Sequence, residues 1–307
     1  MRELTLDLVR RGHLGARADG PFEAPGAVPP AVVAALATRV DRLGPVAREA
    51  LDTAVILGAE IRLDDLRAVL GTGAGIGELV AQGMLRPVPT QDDTVAVEHD
   101  LLRRVVLDAM SGAARAERHD VAHTALKGSA PSVELARHAL AAASLDRHRG
   151  VEAAVEAGLD ALGQSARSDA AEWWLTACEL LETSGPEADR RVQLLADAGQ
   201  QLLHAGDDRA RDVLHDAALE AERRGRWAVA ARAASALARL GPTSEAGEAD
   251  REVAALCDRL LVRVIEPGPR AVLAAATTVV HSLTGEAELC RALFSRAEAD
   301  ARLADDD

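Results

Sequence analysis

Apolar residues recur along most of this chain three and four positions apart, the spacing with which a helix buries one face. One stretch breaks that rhythm. Val95-Ala96-Val97 follows a polar turn, Thr90-Gln91-Asp92-Asp93, which is itself preceded by Leu85-Arg86-Pro87-Val88. Two short extended segments around a polar turn predict a β-hairpin, a small wing. Ahead of the wing, one helix is expected from Pro29-Pro30 through Val32, Val33, Leu36, Val40 and Leu43. Gly44-Pro45 breaks it, and a second helix carries Ala47, Leu51, Ala54, Val55 and Leu57. Two shorter helices follow around Leu66–Leu70 and Ile76–Gln82, with Gly83 as a stop. Helices and then a wing make a winged-helix pattern. Behind the wing, His99-Asp100 opens an amphipathic helix with Leu101, Leu102, Val105, Val106 and Ala109 on its apolar side. At the start of the chain, residues 1–14 predict an amphipathic helix with Leu4, Leu8 and Val9 inward, joined onward by a Gly/Pro-rich connector, Gly20 to Gly26.

After Met110 the pattern is helical throughout. One helix spans Ala113–Leu126, and another begins after Pro131 and carries Leu135, Ala136 and Leu140. From about residue 148 the helices pair: 149–163 with 167–183, 187–205 with 208–224, 227–239 with 246–264, and 270–283 with 286–303. Gly163, Gly185-Pro186, Gly206, Gly225, Gly241-Pro242 and Gly285 fall between the proposed helices, and small residues (Ala198-Gly199, Ala210, Ala217, Ala218) mark points of close packing. Starts about 40 residues apart predict degenerate tetratricopeptide-like repeats.

Composition sharpens this. Of the 307 residues 48% are hydrophobic but only 2% aromatic, with no Tyr. A core of Leu, Val and Ala suits closely packed helices, so the expected class is mainly α. The net charge of −14 is uneven: 15 basic against 18 acidic side chains in residues 1–127, and 20 against 31 in residues 128–307. An acidic helical half is a poor match to nucleic acid or to a membrane surface, and it fits a protein-binding surface. Cys178, Cys257 and Cys290 are far apart and form no Cys-x-x-Cys pair, which argues against a zinc knuckle or a disulfide framework and for a reducing compartment. With no membrane-spanning run and a charged N-terminus (Arg2, Glu3, Asp7), a cytoplasmic location is expected.

Few residues offer chemistry. A Walker A loop needs a Lys directly before Ser or Thr, and this chain contains a single Lys, Lys127, followed by Gly128. No Walker A loop is possible, so neither hydrolysis of ATP by this polypeptide alone nor other enzyme activity is expected. Gly71-Thr72-Gly73-Ala74-Gly75-Ile76-Gly77 follows a helix and not a strand, which makes it an inter-helix turn and no dinucleotide loop. His119 and His123 stand at i, i+4 on one helical face, the spacing of zinc-dependent hydrolases. Asp120 replaces the longer Glu needed to position water, and no third ligand is evident, so a packed or surface helix is the plainer reading. Trp173 and Trp174 sit mid-helix about 100° apart. One is expected in the core, leaving its neighbour as a packing residue or as a partner-binding contact in a groove.

Several segments resemble STAND-type, ATP-dependent LuxR-family transcriptional regulators. Met1–Leu14 resembles the helix that closes their ATPase lid, Leu43–Leu51 their "LSPAARELL" turn, Leu79–Leu85 the "ALVAAGLL" segment before the wing, and His99–Met110 their "HALVREALYEAL". His119 also falls where the family often has a His, and Gly247-Glu248-Ala249-Asp250 lies in a similar stretch. Glu98-His99-Asp100 matches the His-Asp of the "MHD" signature, with Glu98 in place of its apolar first residue. The resemblance implies the middle of a larger regulator: residues 1–20 from the lid, 27–127 a winged-helix domain, and 128–307 tetratricopeptide-like repeats that bind an inducer or partner protein. It implies no cofactor for this chain alone. His99 would read the β-phosphate of ADP only where a P-loop ATPase domain is supplied. Self-association is left open. Two other functions stay in view: a stand-alone winged-helix DNA-binding regulator, and a metal-dependent hydrolase on His119 and His123.

Overall fold

The computed structural model describes residues 30–89, 91, 93–241, 248–282 and 287–305. The expected helix over residues 1–14 and the connector from Gly20 to Gly26 lie outside the described residues. The chain divides into two compact units, Met1–Arg147 and His148–Asp307.

In the first unit, α1 (Pro30–Asp41) and α2 (Pro45–Leu57) are separated by Gly44, and Pro45 opens α2 where a missing N–H costs nothing. Helix α2 is the axis of this unit. Ala47, Ala50, Leu51, Ala54 and Val55 are wholly enclosed. They are covered by α3 (Leu63–Leu70), α4 (Ile76–Ala81), α5 (Asp100–Ala109) and α6 (Gly112–Leu126). Helix α7 (Ser132–Ala141) packs on α6. Buried on α2 as well is Asp52, 7% exposed. Arg48 Nε donates to its Oδ1 at 2.9 Å and Arg118 Nη2 to its Oδ2 at 3.2 Å. The carboxylate is thereby paired on both oxygens, and it ties α6 to α2.

The sheet has the order β1-β3-β2, all antiparallel, with β1 at Glu60–Arg62, β2 at Leu85–Pro87 and β3 at Thr94–Val97. The central β3 is buried at all four positions, which is why Val95-Ala96-Val97 reads as an uninterrupted apolar run. Pro87 sits in edge strand β2, where a ladder donor can be spared. The hairpin β2–β3 is the expected wing. Strand β1 is an addition: with only Ile61 facing inward it offers too little alternation to be seen in the sequence. The Gly71–Gly77 segment joins α3 to α4 as a turn. Gly75 (φ 83°) lies so near α2 that an added Cβ would stand 2.8 Å from the Val46 carbonyl oxygen.

The second unit is a helical array: α8 (Arg147–Gly163), α9 (Arg167–Leu180), α10 (Glu187–Ala205), α11 (Ala210–Arg223), α12 (Trp227–Arg239), α13 (Glu248–Arg263), α14 (Pro267–Ser282) and α15 (Ala287–Asp305). The first helices of the four pairs begin at Arg147, Glu187, Trp227 and Pro267, an interval of 40 residues each time. From α9 onward each helix packs on its successor, while α10 also touches α12 and α12 touches α14. That nearest-and-next pattern is the signature of stacked repeats. Several helices end where the sequence punctuation placed the break. Asp207 N–H reaches the Leu202 carbonyl across Gly206 (φ 71°), and Arg226 N–H reaches Ala221 across Gly225 (φ 67°). At the end of α8 a Ser takes the same left-handed role, Ser165 at φ 63°.

Small residues set the distances. Gly158 on α8 faces the Trp174 indole so closely that a Cβ there would stand 2.3 Å from Nε1, and one on Gly199 would stand 2.8 Å from Leu214 Cδ2. Gly158→Ala is therefore expected to lower stability by about 1–3 kcal/mol through overpacking, read as a lower midpoint in urea. Gly163→Ala, with nothing within 4 Å of its Cβ, should leave the midpoint unchanged or slightly raised.

Candidate functional site

His99 is placed where the sequence put it, at the step from β3 into α5. It is the residue preceding α5, in extended geometry (φ −142°, ψ 140°), and its carbonyl accepts from Arg103 N–H at 3.2 Å. Its side chain makes no capping bond and is exposed, as is that of Asp100 in the first turn. Glu98, which departs from the apolar residue of the family signature, has a local explanation. Its N–H binds the Met84 carbonyl at 3.0 Å, and its carboxylate faces Arg86 of β2 at 3.5 Å. The step from strand to helix is thus fixed by backbone bonds, and the imidazole of His99 is presented outward.

The two other histidines singled out by spacing do not act together. His123 is buried and its Nδ1 lies 3.0 Å from the Leu135 carbonyl oxygen, so Nδ1 carries the proton and donates across to α7. His119 instead meets His138 of α7, Nδ1 to Nδ1 at 2.9 Å with ring centroids 5.1 Å apart. The accepting ring must be neutral, and burial disfavours the charged form of both. His138 is 1% exposed and its Nε2 has no partner. An orphaned buried N–H is rarer than an orphaned acceptor, so we assign the shared proton to His138 Nδ1, which donates to His119. Burial, with Arg115, Arg137 and Arg103 nearby, pushes His119 down to about 4. Burial, then His119, Arg137 and His123, push His138 down to about 3. Cationic surroundings and divergent partners make this a poor place for a metal. Among the described residues no group of three or more His, Cys, Asp or Glu is arranged to hold one.

Trp173 and Trp174 both take the packing alternative, against the partner-binding one. Both are buried, 2% and 5% exposed, so neither indole presents a surface to a partner in this conformation. In the array α9 lies between neighbours, and directions 100° apart are both covered. Trp174 packs into the notch at Gly158 with Nε1 3.4 Å from the Val155 carbonyl oxygen.

One accessible face of the array lies on the first helices. Ion pairs cross it: Arg190 of α10 with Glu152 of α8, and Arg232 of α12 with Asp197 of α10 at 2.9 Å. Asp197 also accepts from Gln193 Nε2 at 3.2 Å. Gln193, Ala228, Val229, Arg232, Pro269 and Val272 line one hollow there. The sequence reasoning missed these residues because each is an ordinary polar or small residue whose meaning depends on the repeat interval. A detectable signal existed: acids pair with arginines one repeat on, Glu152–Arg190, Glu172–Arg209, Asp189–Arg226 and Glu222–Arg259, at separations of 38, 37, 37 and 37. Two of the cysteines are buried and unreactive. Burial pushes the Cys178 thiol up to about 12 and that of Cys257 to about 11.

No family model and no curated protein matches this chain. Among solved structures it is similar to a Signal Transduction ATPase with Numerous Domains (STAND) protein with a tetratricopeptide repeat sensor from Pyrococcus horikoshii, at 10% identity and a TM-score of 0.38. The match covers 92% of this chain and 47% of the other, so the chain spans about half the length of that protein. No helix among the described residues is long and apolar enough to cross a membrane.

The histidine pair predicts an acid-sensitive fold. Unfolded histidines protonate below about pH 6.5, whereas the folded pair resists protonation down to about 4 and 3. Between those limits the unfolded state binds more protons, so stability falls as pH falls, by up to about 1.4 kcal/mol per pH unit for each histidine. Urea midpoints measured from pH 7 to 4.5 should drop steeply in the natural protein. They should drop less in His138→Asn, and an equal slope in both would contradict the assignment.

Proposed function

We propose that this chain is a non-enzymatic regulatory segment of a STAND-type, LuxR-family transcriptional regulator. Its helical repeats receive an inducer or partner protein, and its winged helix acts as a clamp that couples this event to a nucleotide-binding ATPase module. The observation that carries the reading is the β3–His99-Asp100–α5 step. It joins a strand at the centre of a wing-bearing sheet to an amphipathic helix and leaves the imidazole exposed. An outward imidazole on a rigid corner suits contact with a phosphate brought by a neighbouring domain, and Asp100 favours the helix start whatever His99 does. The location that follows is the cytoplasm.

The winged helix reads as a protein clamp and not as a DNA reader. Helix α4, which would enter a groove, spans only Ile76–Ala81 and carries Glu78 and no Lys or Arg, while the wing turn contains Asp92 and Asp93. Phosphate contacts need cations. The hydrolase reading loses its basis once His119 and His123 bind separate partners.

In a reconstitution with the Walker-bearing module of such a regulator, His99→Ala is expected to weaken ADP binding about tenfold or more, as for loss of a charge-assisted phosphate contact, leaving the melting temperature unchanged. Equal ADP affinity for both forms would remove the sensing role. The chain alone should turn over no ATP, and it should not shift duplex DNA even at low salt, where an electrostatic binder is strongest.

A further inference from the structure

The exposed face of the first helices changes character from one end to the other. On α8 the outward positions are Glu152, Glu156, Leu159 and Asp160. Glu152 is neutralised by Arg190, whereas Glu156 and Asp160 have no ion pair among the described residues. On α10 the face is made of Gln193, Asp197 and Gln200, each half-buried, with Asp197 committed to Arg232 of α12. On α14 it is wholly apolar: Val272, Ala275 and Val279, spaced i, i+3 and i+7, with Val272 57% and Val279 52% exposed. The hollow formed by Gln193, Arg232 and Val272 shows that α10, α12 and α14 share one surface, and the Glu152–Arg190 pair extends it to α8. This surface runs from uncompensated carboxylates, through carboxamides and an internally paired Asp–Arg, to a bare valine stripe.

From this gradient we infer that the face binds a partner protein through a short extended segment with Lys or Arg at one end and branched or aromatic apolar residues at the other. The inference rests on the repeats being the recognising half. The cationic end meets Glu156 and Asp160, where opposite charge is the complementarity on offer. The apolar end covers Val272 and Val279. In the middle, Gln193 and Gln200 supply groups that can both donate to and accept from a peptide backbone. Three helix-to-helix steps of about 8–10 Å separate α8 from α14. At about 3.3 Å per residue an extended segment of roughly eight or nine residues spans them.

The test is a selection of random nonapeptides displayed on phage against the whole purified chain, followed by affinity measurements on the enriched peptides made synthetically. Enrichment of sequences with basic residues at one end and apolar residues at the other is expected. Val272→Asp with Val279→Asp should weaken the enriched peptide at least tenfold. Glu156→Lys with Asp160→Lys should weaken it severalfold at low salt, with the effect shrinking at high salt. Val262→Asp, on α13 and 83% exposed, should change nothing. All these side chains are exposed, and unchanged melting temperatures would confirm intact folds. Peptides of the opposite polarity, peptides indifferent to both groove substitutions, or no enrichment at all would each overturn the inference. None of these outcomes bears on the His99 and ADP measurement, so the sensor reading stands or falls separately.

Discussion

A chain with 2% aromatic residues and no Tyr cannot fill space between its helices with large rings. It must bring the helices themselves together. Everything in the structure follows from that constraint. Fully enclosed alanines line both units, Ala47, Ala50 and Ala54 along α2, and Ala198, Ala217 and Ala230 in the array. Where a large side chain does enter, the neighbouring helix gives up its Cβ, as Gly158 does for Trp174 and Gly199 does for Leu214. Close approach leaves little slack, because an interior at crystal-like density cannot absorb a methyl group without strain.

The same economy governs polar groups. Inside the first unit, Asp52 is answered on both oxygens by Arg48 and Arg118, and His138 is answered by His119. Both interactions pin α6 to its neighbours, which leaves the His99 corner on a supported frame. In the array Asp300 is likewise buried and held by Arg270 Nε at 2.7 Å, but the pairs between successive repeats stand nearer the surface. Exposed pairs of this sort contribute little free energy each. Their effect is on register: an arginine answers an acid one repeat earlier in sequence, so sliding a helix along its neighbour would unmatch the pairs it makes.

How much of this the sequence disclosed depended on whether the partners were near in sequence. The wing, the His99 corner and the eight helices of the array are written in contiguous residues, and their boundaries agree with the structure to within a few positions. Strand β1 has a single inward residue, Ile61, and no local pattern can announce it. His119 was noticed for His123, its neighbour on the same face, but its partner is His138, nineteen residues on and in a different helix. For Trp173 and Trp174 the sequence left the second indole between packing and partner contact, because only the placed neighbours show that both directions are covered. The hollow in the array was invisible for a related reason, since Gln193, Arg232 and Val272 come together only after the 40-residue interval has stacked them.

The acid-to-arginine separations of 37 and 38 carry a consequence for how such an array can change in length. Each rung falls two or three positions short of the 40-residue interval, so its two ends are not equivalent places in successive repeats. One repeat beyond Arg190 stands Ala230, and one repeat beyond Arg209 stands Ala249. Removing the 40 residues from Glu187 to Arg226 would therefore leave Glu152 and Glu172 without an arginine. The rungs belong to particular neighbours, and the array cannot shed a repeat without stranding charge.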